Sequence, residues 1–209
     1  GGSSDSGDAG SSNSAVASVE PWGLSGSAEQ AVNPATCDTV IVLALDKILR
    51  SEIQRDGGAA GLATPRFDSI LAGAMKVPDA VTTSTAGNAA LASLLTGRHV
   101  SEHGIVSLRD AARQTLPESE YTLAEGFQEA GWTTIFSSGS PLHARGFSGF
   151  RQGFDHFESP RLSEESRPAS ATVNGALLPL KAALAKDASV FALISFDDLT
   201  ARSLRAPDP

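Results

Sequence analysis

Cysteine is nearly absent from this chain: Cys37 is the single one in 209 residues. No internal disulfide can form, so a buried core has to hold the fold, and Cys37 reads more readily as a small apolar side chain than as a reactive thiol. Basic residues are the minority, 16 Lys and Arg against 24 Asp and Glu, for a net charge of -8. That balance excludes a nucleic-acid backbone as partner, which would require a basic face. Long apolar runs are missing too, and none approaches the roughly 18 residues of a membrane-spanning helix. After the first apolar run there is no Gly-x-Gly-x-x-Gly and no Gly-Lys-Ser/Thr, which argues against a nucleotide-binding α/β domain.

With 41% hydrophobic residues, the chain has enough apolar material for one domain with a real core. The domain is expected over residues 37–209, with residues 1–36 as a Gly/Ser-rich tether and a turn-rich lead-in whose large anchor is Trp22. The first nineteen residues are mostly Gly, Ser, Asp, Asn and Ala, with almost nothing to bury. Two origins stay open for them, an expression scar and a natural tether; the length and mixture favour the second. Such a tether resembles the segment after the lipidated cysteine of mature bacterial lipoproteins. That resemblance implies a membrane tether through a lipidated Cys preceding Gly1, and placement in the periplasm or on the cell surface.

Thr39–Leu45 is a continuous apolar run, predicted as a strand buried on both faces of a parallel sheet. It ends on Asp46, at the strand end where open α/β sheets place their ligands. Lys47 to Gly58 reads as loop. Thr64 and Pro65 suit the N-cap and N1 positions of a helix with an apolar stripe of Phe67, Ile70, Leu71 and Ala74, followed by a short extended piece, Val77 to Val81. A Ser/Thr-rich run, Thr82 to Thr85, then leads into a helix from Asn88 to Leu95 that Gly97 stops. Unpaired N–H groups at this helix start make Gly87 and Asn88 candidate anion-binding positions. The stretch up to Glu120 is expected as surface loop. Thr122 to Glu125 forms a capping box whose helix should bury Leu123, Phe127 and Ala130 and stop at Gly131, before a strand over Trp132–Ser137. Val173 to Leu184 has helical spacing that Pro179 should kink or shorten, and Ser189–Phe196 is a further buried strand ending at Asp197. The alternation makes the fold class α/β.

Ala92-Ser93-Leu94-Leu95-Thr96-Gly97-Arg98 followed by His103-Gly104-Ile105 resembles the signature of the sulfatase branch of the alkaline phosphatase-like hydrolases. Three further segments are similar to that family: Thr64 to Leu71, Thr122 to Thr134, and Gly153-Phe154-Asp155. The resemblance implies a three-layer sandwich around a mostly parallel sheet, present here in its N-terminal portion and therefore incomplete. It also implies a hydrolase of sulfuric or phosphoric esters using calcium or magnesium, with Asp46 as a metal ligand. Counted back along the motif, the nucleophile falls on Gly87, the motif's proline on Ala89 and its supporting arginine on Leu91. Gly87 has no atom with which to attack. Thr85 and Ser84 are the substitute nucleophiles nearest in sequence, displaced by two and three residues. The family's substrate lysine is missing from Ser137–His143, its substrate histidine has a candidate in His143, and Leu199 takes the place of a second histidine. His143 reads either as a site residue or as a loop histidine, and Asp46 either as a ligand or as a carboxylate tied to its strand end. His99, His103 and His156 are read as non-ligands, His103 as structural. Two readings follow. One is a non-catalytic, exported, sulfatase-like protein that acts either in binding, with an anionic or glycan ligand, or as a structural partner. The other is a metal-dependent ester hydrolase completed by a second chain that extends the sheet, or one that was truncated.

Overall fold

The computed structural model describes residues 38–46, 65–75, 77, 79–106 and 115–197. Among them, four parallel strands form one sheet in the order β1-β4-β2-β3, where β1 is Thr39–Leu45, β2 Thr133–Ser138, β3 His156–Glu158 and β4 Val190–Phe196. β4 pairs on both sides, Val190 standing level with Thr39 of β1 and with Thr133 of β2. Its side chains alternate between two apolar layers. Phe191 and Leu193 face one core; Val190, Ala192 and Ile194 face the other. A strand closed on both edges and both faces has to be almost wholly apolar, as Val-Phe-Ala-Leu-Ile is.

Five helices flank the sheet among the described residues: α1 Pro65–Ala72, α2 Gly87–Thr96, α3 Val100–His103, α4 Leu123–Glu129 and α5 Ala169–Leu184. α5 covers β2 and β4 on one face through Ala176 and Ala183, and α2 and α4 cover the other through Ala89, Ala92, Leu95 and Ala124. The second core is threaded by aromatic rings. Phe157 stacks on Phe136 at 4.6 Å, Phe136 meets Phe154 at 5.3 Å, and Phe191 stacks on Phe127 at 4.4 Å.

Several sequence expectations change. β1 has the expected bounds but is half open: Val40, Val42 and Ala44 pack under α2, whereas Ile41 and Leu43 are about half exposed, since β1 lies at the sheet edge beside the strand α5 covers. In α1, Ile70 is exposed and Ala74 lies past the helix end, while the side chains of Phe67 and Leu71 lie outside what is described; Val77 to Val81 forms no strand among its described residues. α4 buries Ala124, while Leu123 and Ala130 face outward. α5 begins four residues earlier than expected and runs through Pro179, because packing on the sheet outweighs one missing N–H. Leu116 is buried rather than on a surface loop. Lys47 to Thr64, the rest of the 107–120 stretch up to Gln114, Cys37, Leu199 and the tether lie outside the described residues.

The Gly-Phe-Asp segment shows why those three residues belong together. Gly153 adopts φ 75, and a side chain there would run into the backbone of Ala124 and Glu125 at the first turn of α4. Phe154 joins the aromatic file, and Asp155 accepts from the Thr134 N–H and hydroxyl, each at 3.0 Å, and from Gln128 Nε2 at 2.7 Å. Burial would raise the Asp155 carboxyl, but those hydrogen bonds outweigh it and hold the pKa below its ordinary value. Its contribution is therefore complete at neutral pH and is lost as the pH falls through that depressed range. Replacing Asp155 by Ala leaves the Thr134 N–H without its partner. Urea unfolding should show a loss of about 1–3 kcal/mol, with Asp155→Asn retaining much of it.

Candidate functional site

Three chain segments meet at the C-terminal edge of the sheet. Ala44, Ser195 and Ser138 stand side by side in register across β1, β4 and β2, on the face toward α2. These residues are small, so the first turn of α2 settles close above them and a cavity of about 160 Å³ remains. Ala44, Leu45, Asp46, Gly87, Ala90, Leu91, Leu94, His143 and Ser195 line it.

Asp46 follows the last residue of β1, and its backbone N–H donates to the Phe196 carbonyl at 3.2 Å, which fixes where the carboxylate begins. Gly87 opens α2 directly opposite. A Cβ built on Gly87 would stand 2.7 Å from Asp46 Oδ2 and 3.2 Å from its carboxyl carbon. The carboxylate thus occupies the space that a side chain at position 87 would need. The expected helix limits shift by one residue at each end, and Gly97 terminates α2 with φ 67. The N-cap is Ala86, without a side-chain cap. Ser84 Oγ instead accepts the Ala86 N–H at 3.0 Å in a local turn.

Neither Ser84 nor Thr85 is among the residues lining the cavity, and Thr85 is exposed. Asn88 is buried and its amide donates to the Leu142 carbonyl at 3.4 Å, tying α2 to the Pro141–His143 turn. Leu91, at the position of the family's arginine, is an apolar core residue, 5% exposed. Ser195 and Ser138 were not singled out from the sequence. Their signal was there: hydroxyls at the ends of otherwise apolar strands seldom serve the core.

His143 is brought into the site. Its Nδ1 lies 2.7 Å from Ser138 Oγ, which also accepts the Ser140 N–H at 3.0 Å. The two contacts tie the imidazole to the β2 end through one hydroxyl. Phe136 and Phe150 meet the ring edge-on at 6.0 and 5.4 Å. Burial pushes the His143 pKa down to about 4, against a smaller upward pull from Asp197, whose carboxylate also accepts from Ser166. The imidazole is neutral at physiological pH. Ser138 is fully buried, outside the cavity lining, and engaged with His143 and the Ser140 N–H.

His99 and His103 do stand at His-x3-His spacing, with Glu102 between them, a metal-like signal the reading of the sequence passed over. The structure uses these residues otherwise. His99 is the N-cap of α3, Glu102 completes its capping box, and both ring nitrogens of buried His103 are hydrogen-bonded. Among the described residues no group of three or more His, Cys, Asp or Glu is arranged to hold a metal. At the cavity, Asp46 is the one carboxylate in the lining. Calcium or magnesium needs about six oxygen ligands, so the described residues by themselves do not fit either ion.

A buried neutral histidine leaves a mark on stability. Its folded pKa lies below the ordinary 6.5, so the unfolded chain takes up the proton first and stability falls as the pH drops below about 6.5. Urea midpoints measured from pH 7.5 to 4.5 should decline steadily over the lower part of that range. His143→Leu should lessen the decline and leave the part due to His103, and NMR should find the wild-type His143 ring still neutral at pH 5.

A comparison with curated protein sequences finds no match to this chain. A protein-family model described as Sulfatase matches residues 38–189. The match spans β1, the α2 motif, the Thr122 capping box and the Gly-Phe-Asp segment, and ends one residue before β4. The four-stranded parallel sheet with helices on both faces is an incomplete alkaline phosphatase-like α/β fold, and the chain belongs to the sulfatase family.

Proposed function

We propose that this protein is a sulfatase-family member that binds a ligand at the family's site without hydrolysing it. The observation that carries this reading is the approach of Gly87 to Asp46. Ester hydrolysis on this scaffold needs an attacking oxygen or sulfur at the start of α2 and cations to carry the developing charge. Position 87 offers no such atom, and the Asp46 carboxylate fills the volume beside it. Leu91 contributes apolar packing in place of a guanidinium, and no lysine or arginine is among the described residues lining the cavity.

Of an anionic and a glycan ligand, the lining favours the glycan. Asp46 accepts hydrogen bonds, Ser195 can accept or donate, and neutral His143 adds a polar ring atom. Ala90, Leu91 and Leu94 supply an aliphatic wall of the kind a sugar ring packs against. An anion would meet a carboxylate with the start of α2 as its main attraction. Exposure outside the cytoplasm and tethering through a lipidated cysteine before Gly1 belong to the same proposal; the Gly/Ser/Asp-rich opening of the chain supports them. No helix among the described residues is long and apolar enough to cross a membrane.

Calorimetry with calcium and sulfate together, and in parallel with neutral methyl glycosides, tests the reading. Heat from a glycoside, lost in Asp46→Ala, and no joint tight binding of calcium and sulfate is the expected pattern. Gly87→Ser should give no turnover of aryl sulfate, and should lower the unfolding midpoint because its side chain displaces Asp46. Turnover by the wild-type chain would overturn the proposal.

The second reading is a metal-dependent ester hydrolase whose remaining ligands come from another chain. It draws support from Asp46 at the mouth of the cavity and from half-exposed Ile41 and Leu43 on β1, which a further layer would cover. Assay of the complex isolated from its native source against sulfate and phosphate esters decides between the two.

A further inference from the structure

Behind the site, α2 and α3 are joined by a buried hydrogen-bond chain that nothing in the ligand pocket uses. Ser93 Oγ lies 2.9 Å from His103 Nε2, and the Ile105 backbone N–H donates to His103 Nδ1 at 3.2 Å. An amide N–H can only donate, so Nδ1 has to be unprotonated, and the ring proton sits on Nε2 and donates to Ser93. This orientation excludes His103 as a base for Ser93. It also means that the junction exists with one protonation state of the ring. Ile105, whose N–H depends on it, is 1% exposed and packs in the same core as Leu95 of α2.

We propose that the Ser93–His103–Ile105 chain is an acid-released latch, in which a second proton on the imidazole breaks the Ile105 bond and frees α3 and Ile105 from α2. The proton would arrive at Nδ1, where it points at the Ile105 N–H; two donors then face each other inside the core, and the segment has to open to hydrate them. The charged and titratable groups around the ring set where this happens. Burial lowers the pKa of His103, as does His99 on α3. Glu120, ahead of α4, and Glu102 on α3 raise it by a smaller amount in total. Glu120 is partly neutralised by Arg98, whose Nε lies 3.4 Å from its carboxylate. Gly104, with φ 74, lies between the histidine and Ile105 and gives the chain a place to hinge.

Opening here has a neighbour to act on. The last turn of α2, Leu94 to Gly97, forms one wall of an apolar groove of about 510 Å³ whose other wall is α4 with Trp132. Release of α3 removes the support behind that wall, so acidity at the histidine becomes mobility at the groove.

The test is amide exchange and imidazole nitrogen NMR on the full chain between pH 7.5 and 5. A proton on Nε2 at neutral pH is expected. As the pH falls, protection of Ile105 should drop by about five- to tenfold relative to β4 amides after correction for intrinsic rates, the scale of one lost buried hydrogen bond. His103→Asn keeps an acceptor for the Ile105 N–H through an Asx-type turn but cannot take up a proton, so its Ile105 protection should not follow pH. A neutral-pH proton on Nδ1, a wild-type Ile105 protection that tracks β4 throughout, or the same acid loss in His103→Asn would each overturn the latch. If the variant does not fold, the two wild-type measurements decide.

Discussion

The structure depends on keeping β4 out of water. It is paired on both edges and covered on both faces, so the strand is well formed only if β1, β2, α5 and the α2–α4 layer are all in place. Its composition answers that demand with five apolar residues in succession. The demand relaxes at Ser195, where the sheet edge meets the first turn of α2. The same change from large to small residues occurs at Ala44 and Ser138, level with it. The cavity is thus where the core side chains run out, and its position is a by-product of how the sheet is packed.

Around that cavity the segments that match the family are held by their own local interactions. Gly97 still stops α2, Thr122 and Glu125 still cap α4, and Asp155 still secures the start of β2. The residues that line the site include a glycine at 87, a leucine at 91 and a histidine at 143 held neutral by burial. Such a lining offers a carboxylate, a hydroxyl and an apolar wall, with no lysine or arginine among its described residues.

Much of this was legible in the residues. Uninterrupted apolar runs located β1 and β4 almost to the residue, because few other structures bury such a run. Caps that use specific side chains, Thr122 with Glu125, were equally plain. Less visible was anything requiring knowledge of a distant neighbour. Thr39 to Leu45 reads the same whether both faces are covered or one, and only the reach of α5 decides it. Pro179 looks like a break until the sheet beneath it is known. His103 and His143 have the same residue identity, yet one closes a junction and the other lines a cavity. Ser84 and Thr85 are near Gly87 along the chain, yet they stand outside the cavity lining, with Ser84 engaged in a local turn at Ala86.

The strand order has a consequence for how the molecule comes into being. Among the described strands β1 is made first and its partner β4 is made last; β2 also meets β4 along its full length. Until β4 emerges from the ribosome, the two flanking strands have no common partner and the sheet has no centre. In the described part of the fold, closure of the sheet therefore waits for one apolar segment to slide between strands already made.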